Sequence, residues 1–376
     1  MDSPKRAHLL DLTLDGLVAR FTELDLPSYR ARQVMQWVYE HFATSFEQMT
    51  SLPVALRRDL AQRLAIYTSE VVSDRQSTDG TRKLLLRWPD GASSECVLIP
   101  EPDRNTACVS SQVGCPVRCT FCASGCDGLE RQLTPGEIVE QAMRLAALCR
   151  APESVGQRPA PGRAREEAVV PPAAPRGARL SHVVFMGIGE PLANYEAVLT
   201  AVRILHSPWA LNLGARKITI STVGLPTQIR RLAAEGLQVN LAISLHATTD
   251  DLRQRLIPWA RRVTIPELVD AARCYFERTG REVTLEYVML AGVNMRPIDV
   301  ERFARITRQL RCNVNLIPYN PVGAMDYERP SDIAVREFVR ALRRRGVNAH
   351  VRKSRGADID AACGQLRSCL LYTSPS

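Results

Sequence analysis

The stretch CVSSQVGCPVRCTFCASGC, residues 108–126, holds five of the chain's eleven cysteines in nineteen residues. Thiols at that density pair as disulfides, ligate metal or act as nucleophiles. The odd total argues against a complete disulfide framework. The opening MDSPKRAHLLDL has no apolar stretch of signal-peptide length, so a cytoplasmic setting is expected, where disulfides seldom persist. Cys115, Cys119 and Cys122 are spaced C-x3-C-x2-C. Three thiolates can hold three irons of a 4Fe–4S cluster and leave the fourth iron open, unlike a four-cysteine electron-transfer site. Structural zinc prefers paired C-x2-C knuckles and four closed ligands, and only Cys119 and Cys122 form such a pair. Cys126 is either a fourth ligand or a free thiol of the following loop, and the latter is preferred. Phe121 would shield the cluster.

Something must hold that loop. From residue 107 the chain alternates strand and helix: ACVSS, HVVFMG, KITIST, VNLAISL, VTLEYVML and NVNLIPY read as strands, with helical segments between them. TPGEIVEQAMRLAALCR opens with Thr134 as N-cap, Pro135 in the first turn and Glu137 to close a capping box; TIPELVDAARCYFERTG repeats the device with Thr264 and Glu267 and stops at Gly280. Six βα units predict an α/β domain with a parallel sheet, either a partial barrel or a doubly wound sheet. Residues 1–72 carry helical periodicity broken at Pro27 and Pro53, and form an N-terminal helical accessory domain. Residues 73–106 read as a β-hairpin turning at Pro89-Asp90-Gly91, 107–355 as the βα domain, and 356–376 as a C-terminal segment. The Pro-, Ala-, Gly- and Arg-rich stretch 150–179 is expected to be a disordered insertion, and the closing CLLYTSPS to be foreign to the fold.

The 376 residues are 45% hydrophobic, enough for one large domain and a smaller one, and carry a net charge of +9. That excess fits a nucleic-acid partner and equally a generally basic surface. No apolar run is long enough for a membrane span, so no membrane partner is expected.

CVSSQVGCPVRCTFCASG, VVFMGIGEPLANY, ITISTVG, AISLHA, EYVML, NLIPYNP and VRKSRGADIDAACGQL, in that order, resemble the RlmN family of radical S-adenosylmethionine (SAM) enzymes over residues 5 to 366, the insertion excepted. The resemblance implies a partial (βα)6 radical SAM barrel with a small N-terminal helical domain. It implies a 4Fe–4S cluster on Cys115, Cys119 and Cys122, two molecules of SAM per turnover, and methylation of adenine C2 in 23S rRNA and tRNA. The electron donor would be a flavodoxin or ferredoxin. Gly189, Glu190, Ser221, Ser244, Leu245, His246 and Asn320 would contact SAM from the C-terminal rim of the strands. Taken singly, those serines would be N-caps or turn residues and the histidine a packed one. Adenine C2 is not a nucleophile, so a carrier is needed. By the same resemblance Cys363 carries the methyl group, Cys108 resolves the protein–RNA adduct through a transient disulfide, and Glu95 is the proton acceptor. The related Cfr type, which methylates C8 of the same rRNA adenine, is the closest alternative. Arg30, Arg32 and the segment VREFVRALRRRG are candidate phosphate contacts.

Overall fold

The computed structural model describes residues 6–150, 179–323 and 325–367. The insertion and the closing residues therefore lie outside the described residues, apart from Arg150 and Arg179 at the insertion's two ends.

Three amphipathic helices open the chain: α1 (Leu14–Glu23), α2 (Tyr29–Tyr39) and α3 (Val54–Arg63). Thr13 caps α1 by accepting from the Gly16 amide, and Pro27 and Pro53 fall between helices, where a missing N–H costs nothing. Leu17, Phe21, Val34, Met35 and Val38 are buried among them.

Next come four antiparallel strands: β1 (Glu70–Gln76), β2 (Arg82–Arg87), β3 (Ser93–Glu101) and β4 (Arg104–Cys108). The expected hairpin is β2–β3, turning at residues 89–91. β1, which begins within the region read as helical, and β4 extend it on both sides.

From β4 onward the chain winds β–α: α4 (Pro135–Arg150), β5 (His182–Phe185), α5 (Tyr195–His206), β6 (Ile218–Thr222), α6 (Pro226–Ala234) and β7 (Asn240–Ser244). Then follow α7 (Asp250–Leu256), α8 (Ile265–Thr279), β8 (Val283–Met289), α9 (Pro297–Thr307), β9 (Cys312–Pro318), α10 (Asp332–Arg344) and β10 (Ala349–Val351). All ten strands form one sheet in chain order, parallel from β4 to β10 and unclosed between β10 and β1. This is the open, partial barrel that the motifs imply. The three-residue β10 adds a parallel strand beyond the six read from the sequence.

Both expected capping boxes are present: Thr134 N donates to Glu137 at 2.9 Å and Glu137 N to Thr134 Oγ1 at 3.2 Å, and Thr264 and Glu267 do the same. Gly280, at φ 66°, ends α8 in the left-handed region.

Candidate active site

The cavity lies at the C-terminal ends of the strands, where βα loops meet and where barrel folds place their chemistry. It is lined by Cys115, Cys119 and Cys122, by Gly189 and Glu190, by Ser221, Ser244 and His246, and by Asn320 and Cys363.

The thiol loop leaves β4 through a short antiparallel ribbon, Gln112–Gly114 against Leu129–Gln132. Gly114, at φ 72°, stands where an added Cβ would lie 2.0 Å from the Gly128 carbonyl oxygen, so the ribbon closes only with glycine there. The Cys115 amide donates to Gly128 O at 2.8 Å, and the Thr120 amide to Leu256 O at 3.0 Å. Val117 and Phe121 pack with Leu252, Leu256, Ile257 and Tyr319, and the three thiols sit against that apolar cluster. Burial pushes the Cys115 thiol up to about 12, and pushes Cys119 and Cys122 upward as well. Thiols in such surroundings need a soft cation to become thiolates. Among the described residues no three thiol, imidazole or carboxylate groups converge as ligands of a single ion. A cubane asks for something else, one thiolate on each of three irons, and three soft donors on one loop facing one cavity meet that requirement. Cys126 is exposed and does not line the cavity.

Opposite the thiols, β5 leads into Gly187–Glu190. Gly189 adopts φ 111°, and a Cβ there would stand 2.7 Å from both Gln112 Cβ and Ser111 Oγ. The buried Glu190 carboxylate accepts from the amides of Leu192 at 2.9 Å and Val223 at 2.7 Å, tying the loop after β5 to the loop after β6. Burial outweighs those bonds and raises its pKa to about 7. Ser221 lies inside β6 rather than after it. His246 takes φ 54°, and its Nδ1 accepts from the Val288 amide at 3.0 Å, which leaves Nε2 carrying the proton. Burial, then Arg253, keeps the ring neutral down to about 3. Leu245 differs from its neighbours: its side chain is buried in the main core, so only its backbone remains to meet a ligand.

Cys363 closes the cavity from the C-terminal segment, a strap pinned along its length. Asn320 Nδ2 donates to Cys363 O at 3.2 Å, Ala123 N to Gly364 O at 2.7 Å and Ser124 Oγ to Leu366 O at 2.8 Å. Cys108 and Glu95 lie behind the strap, off the cavity lining. Cys108, at the end of β4, is buried with Val97, Ile188, Ala361 and Leu366. Burial pushes its thiol up to about 12, with a further push from neighbouring Cys363. Glu95 is buried on β3, 3.0 Å from Lys83 Nζ, and accepts from the Arg367 amide at 2.9 Å.

Sequence reasoning missed three side chains here. Glu286 on β8 lines the cavity; Asn315 donates to its Oε1 at 3.0 Å, while Oε2 is buried with no hydrogen-bond partner among the described residues. Arg352, after β10, lies 3.9 Å from Glu286 and donates to Met186 Sδ at 3.5 Å. Arg253, buried behind His246, donates to Val223 O and Ser244 O and so holds two βα loops together. Glu286 falls within the EYVML motif and Arg352 within VRKSRGADIDAACGQL, but no local signal marks either as a cavity residue, and Arg253 lies in no motif.

A three-thiol loop at the strand ends of an open parallel barrel, facing a glycine-rich loop, defines a radical SAM enzyme. Residues 148–304 match the radical SAM superfamily model, and residues 7–66 match the ribosomal RNA large subunit methyltransferase N-terminal domain. A crystal structure of a radical SAM methyltransferase from Sphaerobacter thermophilus superimposes with a TM-score of 0.88 at 46% identity, covering 96% of this chain and 100% of that one. Dual-specificity RNA methyltransferases RlmN from Rhodopirellula baltica (43% identical, 97% of this chain, 91% of theirs) and Thermosynechococcus vestitus (44%, 92% and 94%) are similar over nearly their whole length. The chain belongs to the RlmN family of radical SAM, dual-specificity RNA methyltransferases. Its cofactors are accordingly a 4Fe–4S cluster and SAM.

Proposed function

We propose that the chain methylates C2 of an adenine in 23S rRNA and in tRNA, with Cys363 as methyl carrier and Cys108 as resolving thiol. The observation that carries this reading is the position of Cys363 on the wall of the thiol-lined cavity, with Cys108 directly behind it.

Cys115, Cys119 and Cys122 hold the cluster, and the Gly189–Glu190 loop, Ser221, Ser244, the backbone at Leu245, His246 and Asn320 surround SAM. When bound, these groups supply a methyl group and a hydrogen-abstracting radical. Cys363 takes the methyl group on sulfur and releases its thiol proton. Removal of a hydrogen atom from that S-methyl group leaves a carbon-centred radical on the Cys363 side chain, which adds to C2. Cys108 then attacks the Cys363 sulfur. An S–S bond forms and the S–CH2 bond breaks, its electron pair staying on the carbon attached to the base. That carbon gains a proton as C2 loses one, and the unpaired electron that the radical addition leaves on the base would pass to the cluster held by Cys115, Cys119 and Cys122, which closes the electron balance. Glu95 holds the strap through the Arg367 amide, and to accept a proton it must part from Lys83. A flavodoxin or ferredoxin supplies the electrons.

The test is denaturing electrophoresis of single variants after anaerobic reaction with labelled RNA, with peptide mapping. Cys108→Ala should accumulate RNA attached through Cys363, and Cys363→Ala should form no adduct. An adduct that survives loss of Cys363 refutes the assignment. Mass mapping of the methylated adenine separates C2 from C8.

A further inference from the structure

A second cleft, of about 310 Å³, opens on the far side of Cys363. It shares Ile317, Asn320, Arg352 and Cys363 with the thiol-lined cavity, so the strap cysteine is a wall common to both. Its charge is one-sided. Arg104, Arg352, Lys353 and Arg355 line it against a single carboxylate, Glu101. Arg104 is engaged with that Glu101. Arg355 stands 3.9 Å from Asp79, whose carboxylate already accepts from the amides of Thr81 and Gly356. Arg352 turns inward, toward Glu286. Lys353 is exposed and forms no ion pair among the described residues. Cationic groups left uncommitted around the mouth of a reactive cavity favour a polyanion.

We propose that this cleft is the entry for the target nucleotide, with Lys353 and Arg355 holding the RNA phosphates on either side of a flipped base. The proposal rests on the RNA-methylation reading above and names the surface on which it occurs. A base must leave its stack to bring a ring carbon to a reacting group. A nucleotide entering base-first past Cys363 leaves its sugar and phosphates at the cleft mouth, against these two side chains. Phosphate contacts of this kind position the RNA without reading its sequence.

The test uses anaerobically reconstituted protein and a tRNA anticodon stem–loop, with binding followed by fluorescence anisotropy between about 50 and 200 mM KCl. Removing one cation that neutralises a single-strand phosphate should flatten the plot of log affinity against log salt by about 0.7. Lys353→Ala/Arg355→Ala is expected to flatten it by roughly 1.4 on that basis and to weaken binding about 10-fold or more at low salt. Lys353→Arg should restore the lysine's share. Lys353→Glu, a change at an exposed position that folding tolerates, should weaken binding further than Lys353→Ala. Arg230→Ala on α6 removes one cation outside the cleft lining, as Lys353→Ala removes one within it, and should keep the wild-type slope. Wild-type affinity and slope in both the double variant and Lys353→Glu overturn the cleft assignment. If the wild-type protein methylates the hairpin while those variants bind normally, the RNA-methylation reading stands and this one falls. If the wild type neither binds nor methylates RNA, both fall.

Discussion

Cys115, Cys119 and Cys122 sit on a loop pinned by Gly128, Leu256 and Gly364, so no neighbouring donor can replace a missing thiol without moving the backbone. Alanine at any of the three should abolish the cluster, measured as iron, sulfide and visible absorbance after anaerobic reconstitution. The exposed Cys126 should change to alanine with the cluster intact, and loss of iron in that variant would show a four-thiol site instead. Across the cavity, Gly189→Ala forces a Cβ into Gln112 and Ser111 at φ 111°. We expect it to lower stability by about 1–3 kcal/mol, the usual cost of a strained backbone position. SAM binding by equilibrium dialysis should weaken in parallel, and an unchanged melt would show that the turn relaxes freely. The thiol spacing was legible because its three members are close in sequence; Gly189, whose neighbours Ser111 and Gln112 lie on a distant segment, was assigned only through the family resemblance. Glu286 was not legible as a cavity residue. Its place depends on the register that sets it beside Ser244 and Asn315 on neighbouring strands, which only the folded sheet defines.

The strap and the antiparallel strands meet through one buried ion pair. Lys83 on β2 donates to Asp360 O at 3.0 Å, before Cys363, and Glu95 on β3 accepts from the Arg367 amide, after it. The two ends of the segment holding Cys363 are thus fixed to two adjacent strands, and the pair that fixes them is 3.0 Å across. Without its family resemblance, Glu95 reads as an exposed strand residue. It is buried because the C-terminal segment, far away in sequence, folds over β3. Breaking a buried pair from one side leaves a charge in low dielectric, whereas replacing both partners by apolar groups does not. Lys83→Met should therefore cost roughly 3–5 kcal/mol in chemical denaturation. Lys83→Met/Glu95→Leu should recover most of that stability yet still load less methyl on Cys363, read by intact-protein mass spectrometry. Normal loading in the double variant would mean that the strap holds its place without the pair.

Over the whole molecule, α4 is the seam between the N-terminal helices and the barrel, and its capped start was read from the sequence through Thr134, Pro135 and Glu137. The alternation of strand and helix likewise made the barrel legible, except for β10, whose three residues are too few to show a period. What faces the seam was not legible, because its partners come from the chain's first residues and from the approach to β1. Asp11 accepts from the Gly136 amide at 2.6 Å. Glu140, fully buried, accepts from Thr68 N at 2.8 Å, Ser69 N at 3.1 Å and Arg144 Nε at 2.9 Å, with His8 Nε2 at 3.3 Å. Burial alone would raise its pKa. The contacts from His8, Arg144, Ser69 and Thr68 outweigh burial and hold it at about 2, below the ordinary 4.5. A carboxylate whose pKa is depressed by folding stabilises the native state fully above its unfolded pKa, and less as pH falls toward its folded one. Glu140→Gln should thus cost roughly 3 kcal/mol near neutral pH, in line with removal of one member of a buried charge network. The gap between wild type and variant should narrow as pH falls from 4.5 toward about 2. Thermal melts of both proteins, matched in cluster content and taken at several pH values, read that gap. Limited proteolysis should cut first in the 64–69 connection of the variant. A gap that stays constant with pH would mean that Glu140 holds the seam by shape and hydrogen bonding alone, with no contribution from its charge.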